Sequence, residues 1–180
     1  MKTKTLHRTR KLTLTALFVC LIIVGAILKI PFVPVAFSLQ TFFVMAAGLY
    51  LGWAWGCAAV TVYIAIGFAG LPVFSAGGGI GYVATPTFGY LLGMYPLVAA
   101  CGLFRKKSFP VVFGAVYIAA VICLGVGTLY AFGYYSLQGE VPKALFTGFF
   151  VWFLAPELLK AALACTLFRA TKKPLARYID

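Results

Sequence analysis

From residue 13 to residue 169 the chain is almost continuously apolar, and most of its few charged positions fall between or at the edges of the apolar stretches. A bilayer core about 30 Å thick needs about 20 helical residues to cross it, so long uncharged runs read as membrane-spanning helices. Six such stretches divide the sequence, at 13–29, 38–53, 55–71, 85–104, 110–134 and 145–169. The second and third are short, separated only by Gly52-Trp53-Ala54-Trp55-Gly56, a turn with two aromatics suited to a membrane interface. The expected fold is an all-α integral membrane protein of six transmembrane helices. It forms one domain over 1–180, with a basic tail at 1–12, a core at 13–169 and a second tail at 170–180.

Three links stand out. Ile30–Phe37 contains Pro31 and Pro34 and is expected to run extended, because proline lacks an N–H and pushes the preceding residue out of the helical region. Pro72–Ala84 includes Ser75-Ala76-Gly77-Gly78-Gly79-Ile80-Gly81-Tyr82, glycine-rich and uncharged. It is expected to dip back into the protein, since irregular backbone persists at membrane depth only where protein or an enclosed cavity satisfies it. Tyr135–Lys143 is the third link, and no tandem repeat is visible.

Composition supports the bilayer reading. With 63% hydrophobic residues and a mean hydropathy of +1.03, the 180-residue chain departs from a soluble domain, where about 45–50% is apolar. The basic run before Leu12–Leu28 imitates a secretory leader, but further spans follow and Val24-Gly25-Ala26 is a poor cleavage site, so an uncleaved first helix is expected. The five cysteines form no CxxC and read as small apolar residues.

The net charge of +12 would suit a nucleic-acid partner, but its distribution argues against one. Lys2, Lys4, Arg8, Arg10 and Lys11 precede the first stretch; Arg105, Lys106 and Lys107 follow the fourth; Arg169, Lys172, Lys173 and Arg177 follow the sixth. Of the remaining basic residues, Lys29 at the end of the first stretch and Lys143 in the third link fall on the opposite side, and Lys160 within the sixth stretch. Juxtamembrane clusters of this kind face the cytoplasm and attract anionic lipid headgroups, so both termini are expected inside.

Against this background Glu157 and Lys160, just after Pro156, are anomalous. An intramembrane charge costs about 2.5–3.5 kcal/mol on insertion scales, and such residues commonly face a cavity or a ligand. Three residues apart, they share a helix face with Cβ atoms about 5–6 Å apart. Pro156 withdraws the donor that the Trp152 carbonyl would otherwise receive and kinks the helix beside the pair. The pair reads either as a structural ion pair or as a ligand-binding pair. Two neighbours cannot clasp both ends of a long molecule, but they can meet one polar end offering N–H donors and a carbonyl, as a cyclic urea or another amide-like ring does.

The glycine segment lacks the Gly-Lys-Ser/Thr of a nucleotide-binding loop; it either lets a ligand approach backbone N–H groups, one able to carry a carboxylate, or is a tight turn. Small residues recur at four-residue spacing in Gly48-Gly52-Gly56 and Gly89-Gly93, as internal packing requires, and at Ala16 and Cys20, candidates for a subunit contact. Tyr63, Tyr90, Phe37, Phe42 and Trp152 either line an apolar pocket or anchor the interface. With one histidine (His7, in the charged tail) and three acidic residues, no Ser/His/Asp set, metal-ligand cluster or carboxylate dyad can be assembled. No enzyme activity, cofactor or metal is expected.

These residues together resemble the BioY family, the biotin-specific S components of energy-coupling factor (ECF) transporters. The similarity is carried by Pro34–Gln40 (PVAFSLQ), Gly48-Leu49-Tyr50-Leu51-Gly52, Gly70-Leu71-Pro72-Val73-Phe74 with the glycines after it, Pro86-Thr87-Phe88-Gly89-Tyr90-Leu91-Leu92-Gly93, and Pro156-Glu157-Leu158-Leu159-Lys160. The resemblance implies a six-helix membrane protein that captures biotin from outside. It also implies a membrane T subunit and two cytosolic ABC-type ATPases as partners, which accords with the missing nucleotide loop. It places Glu157 and Lys160 at the ureido end of the ligand and Ala16 and Cys20 against the T subunit. Gln40 is expected to add a hydrogen bond, and Gly77, Gly78, Gly79, Tyr82 and Tyr90 to close the pocket. The chain departs from the family in having Glu157 where Asp is common, Thr85 and Phe88 where glycines are usual, and Cys20 where Ala is typical. Alternatives are an S component for a related acid such as lipoate, a self-sufficient secondary transporter, and a small membrane enzyme or assembly factor using Glu157 as acid/base.

Overall fold

Apolar runs without side-chain caps give the helices, and glycine and proline mark several of their ends. The computed structural model describes residues 2–30, 37–139 and 141–179; the side chains of 2–7, 30, 173 and 175–179 lie outside that description. Six helices follow in order: α1 (Lys2–Ile27), α2 (Gln40–Leu51), α3 (Trp53–Phe68), α4 (Phe88–Phe104), α5 (Phe109–Leu137) and α6 (Trp152–Ile179). Two short strands, β1 (Lys29–Ile30) and β2 (Phe37–Ser38), pair antiparallel, so the described ends of the first link are extended; Pro31 and Pro34 lie outside the described residues.

Three helical segments, Arg8–Ile27, Phe109–Leu137 and Thr147–Lys172, are long and apolar enough to cross a membrane, whereas α2, α3 and α4 are shorter apolar helices. Several boundaries differ from those predicted. The segment 1–12 is helical from Lys2, and α6 runs on to Ile179, because Lys, Arg, Ala and Leu are good helix formers and extend an established helix into water. The α5 helix likewise takes in Tyr135, Tyr ring and all, up to Leu137. The expected turn of 52–56 contracts to Gly52 alone: its φ of +84° ends α2, and α3 starts at the next residue.

Missing side chains let the helices close up. A Cβ on Gly56 would lie 3.2 Å from the Gly48 Cα, and one on Gly48 only 2.5 Å from the Val98 carbonyl, so α2, α3 and α4 meet backbone to backbone. On Gly93 a Cβ would come 2.8 Å from Cys123 on α5. The core formed here includes the fully buried Ile22, Met45, Leu49, Val60, Tyr63, Leu97 and Val116. Exposed leucines and isoleucines such as Leu17, Ile118, Leu129 and Leu159 form the outer surface, as expected where lipid is the solvent.

One end of the bundle gathers the start of α1, Gly52, the α4–α5 turn and the end of α6: Lys11, Gly52 and Arg105 line one hollow, and Tyr50 bonds Thr171. This is the basic end. At the other end lie the β1–β2 pair and the segment between α3 and α4. That segment does enter the protein: Val73, Phe74 and Tyr82 are buried, with Phe74 against Tyr63 and Tyr82 at ring separations of 5.5 and 4.5 Å. Glycine at 77 and 79 supplies φ values of +123° and +91° for the reversal between the two aromatic anchors.

Candidate binding site

The sequence places Glu157 and Lys160 one turn apart on α6, and the fold turns that face toward the first turn of α2. Both are buried, at 2% and 5% exposure. Lys160 Nζ lies 2.7 Å from Glu157 Oε1. Thr41 sits between them: its hydroxyl donates to Glu157 Oε1 at 2.8 Å and accepts from Lys160 at 3.0 Å. The ammonium also rests 4.4 Å from the centre of the Phe37 ring, a cation–π contact that offsets its lost hydration. Glu157 Oε2 is buried without a hydrogen-bond partner among the described residues. A buried carboxylate oxygen left so is costly, which marks it as an acceptor awaiting a donor.

The site is supported from α3 and α4. Gln40, beside Thr41, donates to the Tyr63 hydroxyl at 2.8 Å, and Tyr63 donates to the Val73 carbonyl at 3.2 Å, tying α2 and α3 to the inserted segment. Ahead of α6 the backbone forms one wide π turn, Thr147–Val151, a feature common at functional sites. Its Phe149 carbonyl accepts from Tyr90 at 2.6 Å and from Thr128 at 3.2 Å. Tyr90 thus couples α4 to the start of α6 as well as lining the site.

A cavity of about 60 Å³ runs from this charged group, along Leu91, Met94, Leu124 and Phe153, to the hydroxyls of Ser75, Tyr82 and Thr87. It is therefore charged at one end, apolar along its wall and lined by hydroxyls at the other. Tyr82 Oη bridges Ser75 and Thr87 at 3.2 and 3.0 Å, closing the hydroxyl end, and Lys29 donates to the Ser75 carbonyl from outside. Drug-sized ligands occupy pockets of about 300–1,000 Å³, so a ligand of that size needs more room than this closed arrangement leaves.

Of the residues singled out by sequence, Gln40, Tyr82, Tyr90, Glu157 and Lys160 line this cavity, whereas Gly77, Gly78 and Gly79 do not. The glycines shape the reversal instead: a Cβ on Gly78 would lie 2.1 Å from the Leu71 carbonyl. Thr41, Ser75 and Thr87 were not singled out; hydroxyls at helix starts and in turns carry no signal beyond local capping. Ala16 and Cys20 are exposed on one face of α1, away from the cavity. Of the open aromatics, Phe37 and Tyr90 serve the site, Tyr63 is core, and Trp152 is exposed at 64%.

The model of the BioY family matches residues 1–177. The chain belongs to the BioY family. Among its relatives, a biotin transporter BioY of Thermotoga maritima is 40% identical over 162 residues, covering 86% of this chain and 92% of that protein. A biotin transporter BioY of Rhizobium etli is 35% identical over 175 residues, covering 90% and 92%. A probable biotin transporter BioY of Lysinibacillus sphaericus is 53% identical over 85 residues, 47% of this chain and 43% of its own. A crystal structure of the S-component for biotin from an ECF-type ABC transporter superposes with a TM-score of 0.79 over 92% of both chains, at 24% identity. The chain thus has the fold of an ECF S component.

Proposed function

We propose that this protein is the biotin-capturing S component of an ECF-type importer, a transport component rather than an enzyme. It sits in the cell membrane with its basic end and both termini in the cytoplasm, forms a single membrane-embedded domain, and relies on a T subunit and two ABC-type ATPases for energy. The names carried by its relatives support the substrate class, and the observation that carries the reading is the unpartnered Glu157 Oε2 beside Lys160 in the cavity.

A ureido ring has two N–H donors and one carbonyl. Glu157 Oε2 accepts from one N–H, while Lys160, with two of its three protons engaged, turns the third from the Phe37 face to the carbonyl. The thioether ring and aliphatic tail lie against Leu91, Met94, Leu124 and Phe153, and the carboxylate reaches the hydroxyls of Ser75, Tyr82 and Thr87. Lipoate would fill the same apolar wall but leave Glu157 unsatisfied, a loss that discriminates strongly in a buried site.

Calorimetry of the purified protein with biotin, desthiobiotin and lipoate tests this. Biotin and desthiobiotin, which share the ureido group, are expected to bind tightly and lipoate weakly. Lys160→Ala is expected to lose about five- to 150-fold in biotin affinity, the ~1–3 kcal/mol of a charge-assisted hydrogen bond. Equal binding of lipoate, or unchanged affinity in that variant, overturns the assignment.

A further inference from the structure

The basic end holds a second, larger cavity, of about 400 Å³, between the α4–α5 turn and the stretch of α6 from Cys165 to Lys172. Arg105, Lys106 and Lys107 enter it from the turn, Arg169 and Lys172 from α6, and among the described residues no acidic side chain lines it. Arg169 lies 5.5 Å from the centre of the Phe109 ring, Lys172 lies 5.8 Å from that of Phe168, and Arg105 donates to the Tyr50 carbonyl at 3.0 Å.

Two further features bear on what fits there. The 29-residue α5 helix begins at this cavity after Ser108, with no acidic residue in its first turn and no side-chain cap, so its positive end adds to the field. The floor is apolar, formed by Phe109, Val112, Cys165 and Phe168. Beside it, Val111 and Leu167 are 46% and 49% exposed, continuing the apolar surface outward along α5 and α6. A free anion would use the rim and gain nothing from that floor, whereas a molecule with an anionic head and apolar chains uses both.

We propose that this cavity binds one anionic phospholipid, of the phosphatidylglycerol or cardiolipin type, its phosphodiester held by Lys107, Arg169 and Lys172 and its chains lying along α5 and α6. Basic pockets between membrane helices on the cytoplasmic side recognise such heads. This site is separate from the biotin cavity and distinct from the diffuse attraction of a basic tail, because it predicts a fixed stoichiometry.

Native mass spectrometry of the detergent-purified protein tests it, titrating phosphatidylglycerol and phosphatidylcholine of matched chains. One phosphatidylglycerol is expected to be retained per protein, with phosphatidylcholine at least about tenfold weaker, given ~1 kcal/mol per basic residue near such a head. The triple variant Lys107→Gln/Arg169→Gln/Lys172→Gln is expected to lose retention by about tenfold or more, and Lys2→Gln/Lys4→Gln/Arg8→Gln, with the same loss of charge, by less than about twofold. Equal loss in both triples would mean diffuse surface charge and overturn the proposal. So would displacement of the lipid by millimolar inorganic phosphate, or retention that ignores the head.

Discussion

Thr41→Val removes one hydroxyl from the centre of the charged group and nearly preserves the side-chain shape. That hydroxyl donates at 2.8 Å to Glu157 Oε1 and accepts at 3.0 Å from Lys160, so both charged partners lose a ligand at once. The direct 2.7 Å contact between them survives, which keeps the pair neutral as a unit and limits the loss of stability. What goes is orientation: the pair is then fixed only from α6, and Oε2 is free to swing away from the cavity. A hydrogen bond to a charged group contributes about 1.5–3 kcal/mol, so biotin affinity should fall about 10- to 150-fold. Thr41→Ser restores the hydroxyl and should stay within about threefold of the parent. Calorimetry on the three proteins, with melting curves to verify folding, decides the matter. Parental affinity in Thr41→Val alongside lost affinity in Lys160→Ala would refute the view that the hydroxyl aims the carboxylate.

Removing one charge should harm the fold more than removing both. Lys160→Met leaves a buried carboxylate unpaired and should destabilise by about 3–5 kcal/mol, seen as a lower Tm in detergent, whereas Glu157→Gln/Lys160→Met should recover most of that loss yet still fail to bind biotin. Gly102→Ala should destabilise by about 1–3 kcal/mol, because its Cβ would lie 2.0 Å from the Trp53 backbone nitrogen, while Gly114→Ala, with nothing within 4 Å, should be neutral or slightly stabilising. Ala16→Trp should abolish co-purification with a T subunit while leaving biotin affinity unchanged, since the residue is exposed on α1 and lines no part of the cavity.

Sequence and structure agree where a residue is costly and differ where it is cheap. Glu157 and Lys160 were legible because charge inside an apolar run demands a reason, and the structure buries both and faces them to α2. Thr41 was not, although it touches both, because a threonine hydroxyl at a helix start costs almost nothing. The six helices were visible in the apolar runs, but their ends were not, since Lys and Arg halt a hydropathy run without halting a helix. The glycine segment enters the protein, and of its residues expected to close the pocket Tyr82 lines the cavity while Gly77, Gly78 and Gly79 do not. Phe74 and Tyr82 penetrate the interior, while Gly77 and Gly79 provide the left-handed backbone that brings them there. Composition shows that such a segment must turn, and only the fold shows which side chains it delivers.

The α2 helix is fastened to α6 twice. Thr41, in its first turn, grips the charged pair, and Tyr50, in its last, shares a 2.5 Å hydrogen bond with Thr171. Twelve residues make a rod about 18 Å long, too short to bend appreciably between its two fastenings. A pull at Thr41 therefore rocks the whole rod and is felt at Tyr50, beside the Arg105 guanidinium on the opposite surface. The charged pair and the basic end of the bundle are thus joined through a single short lever.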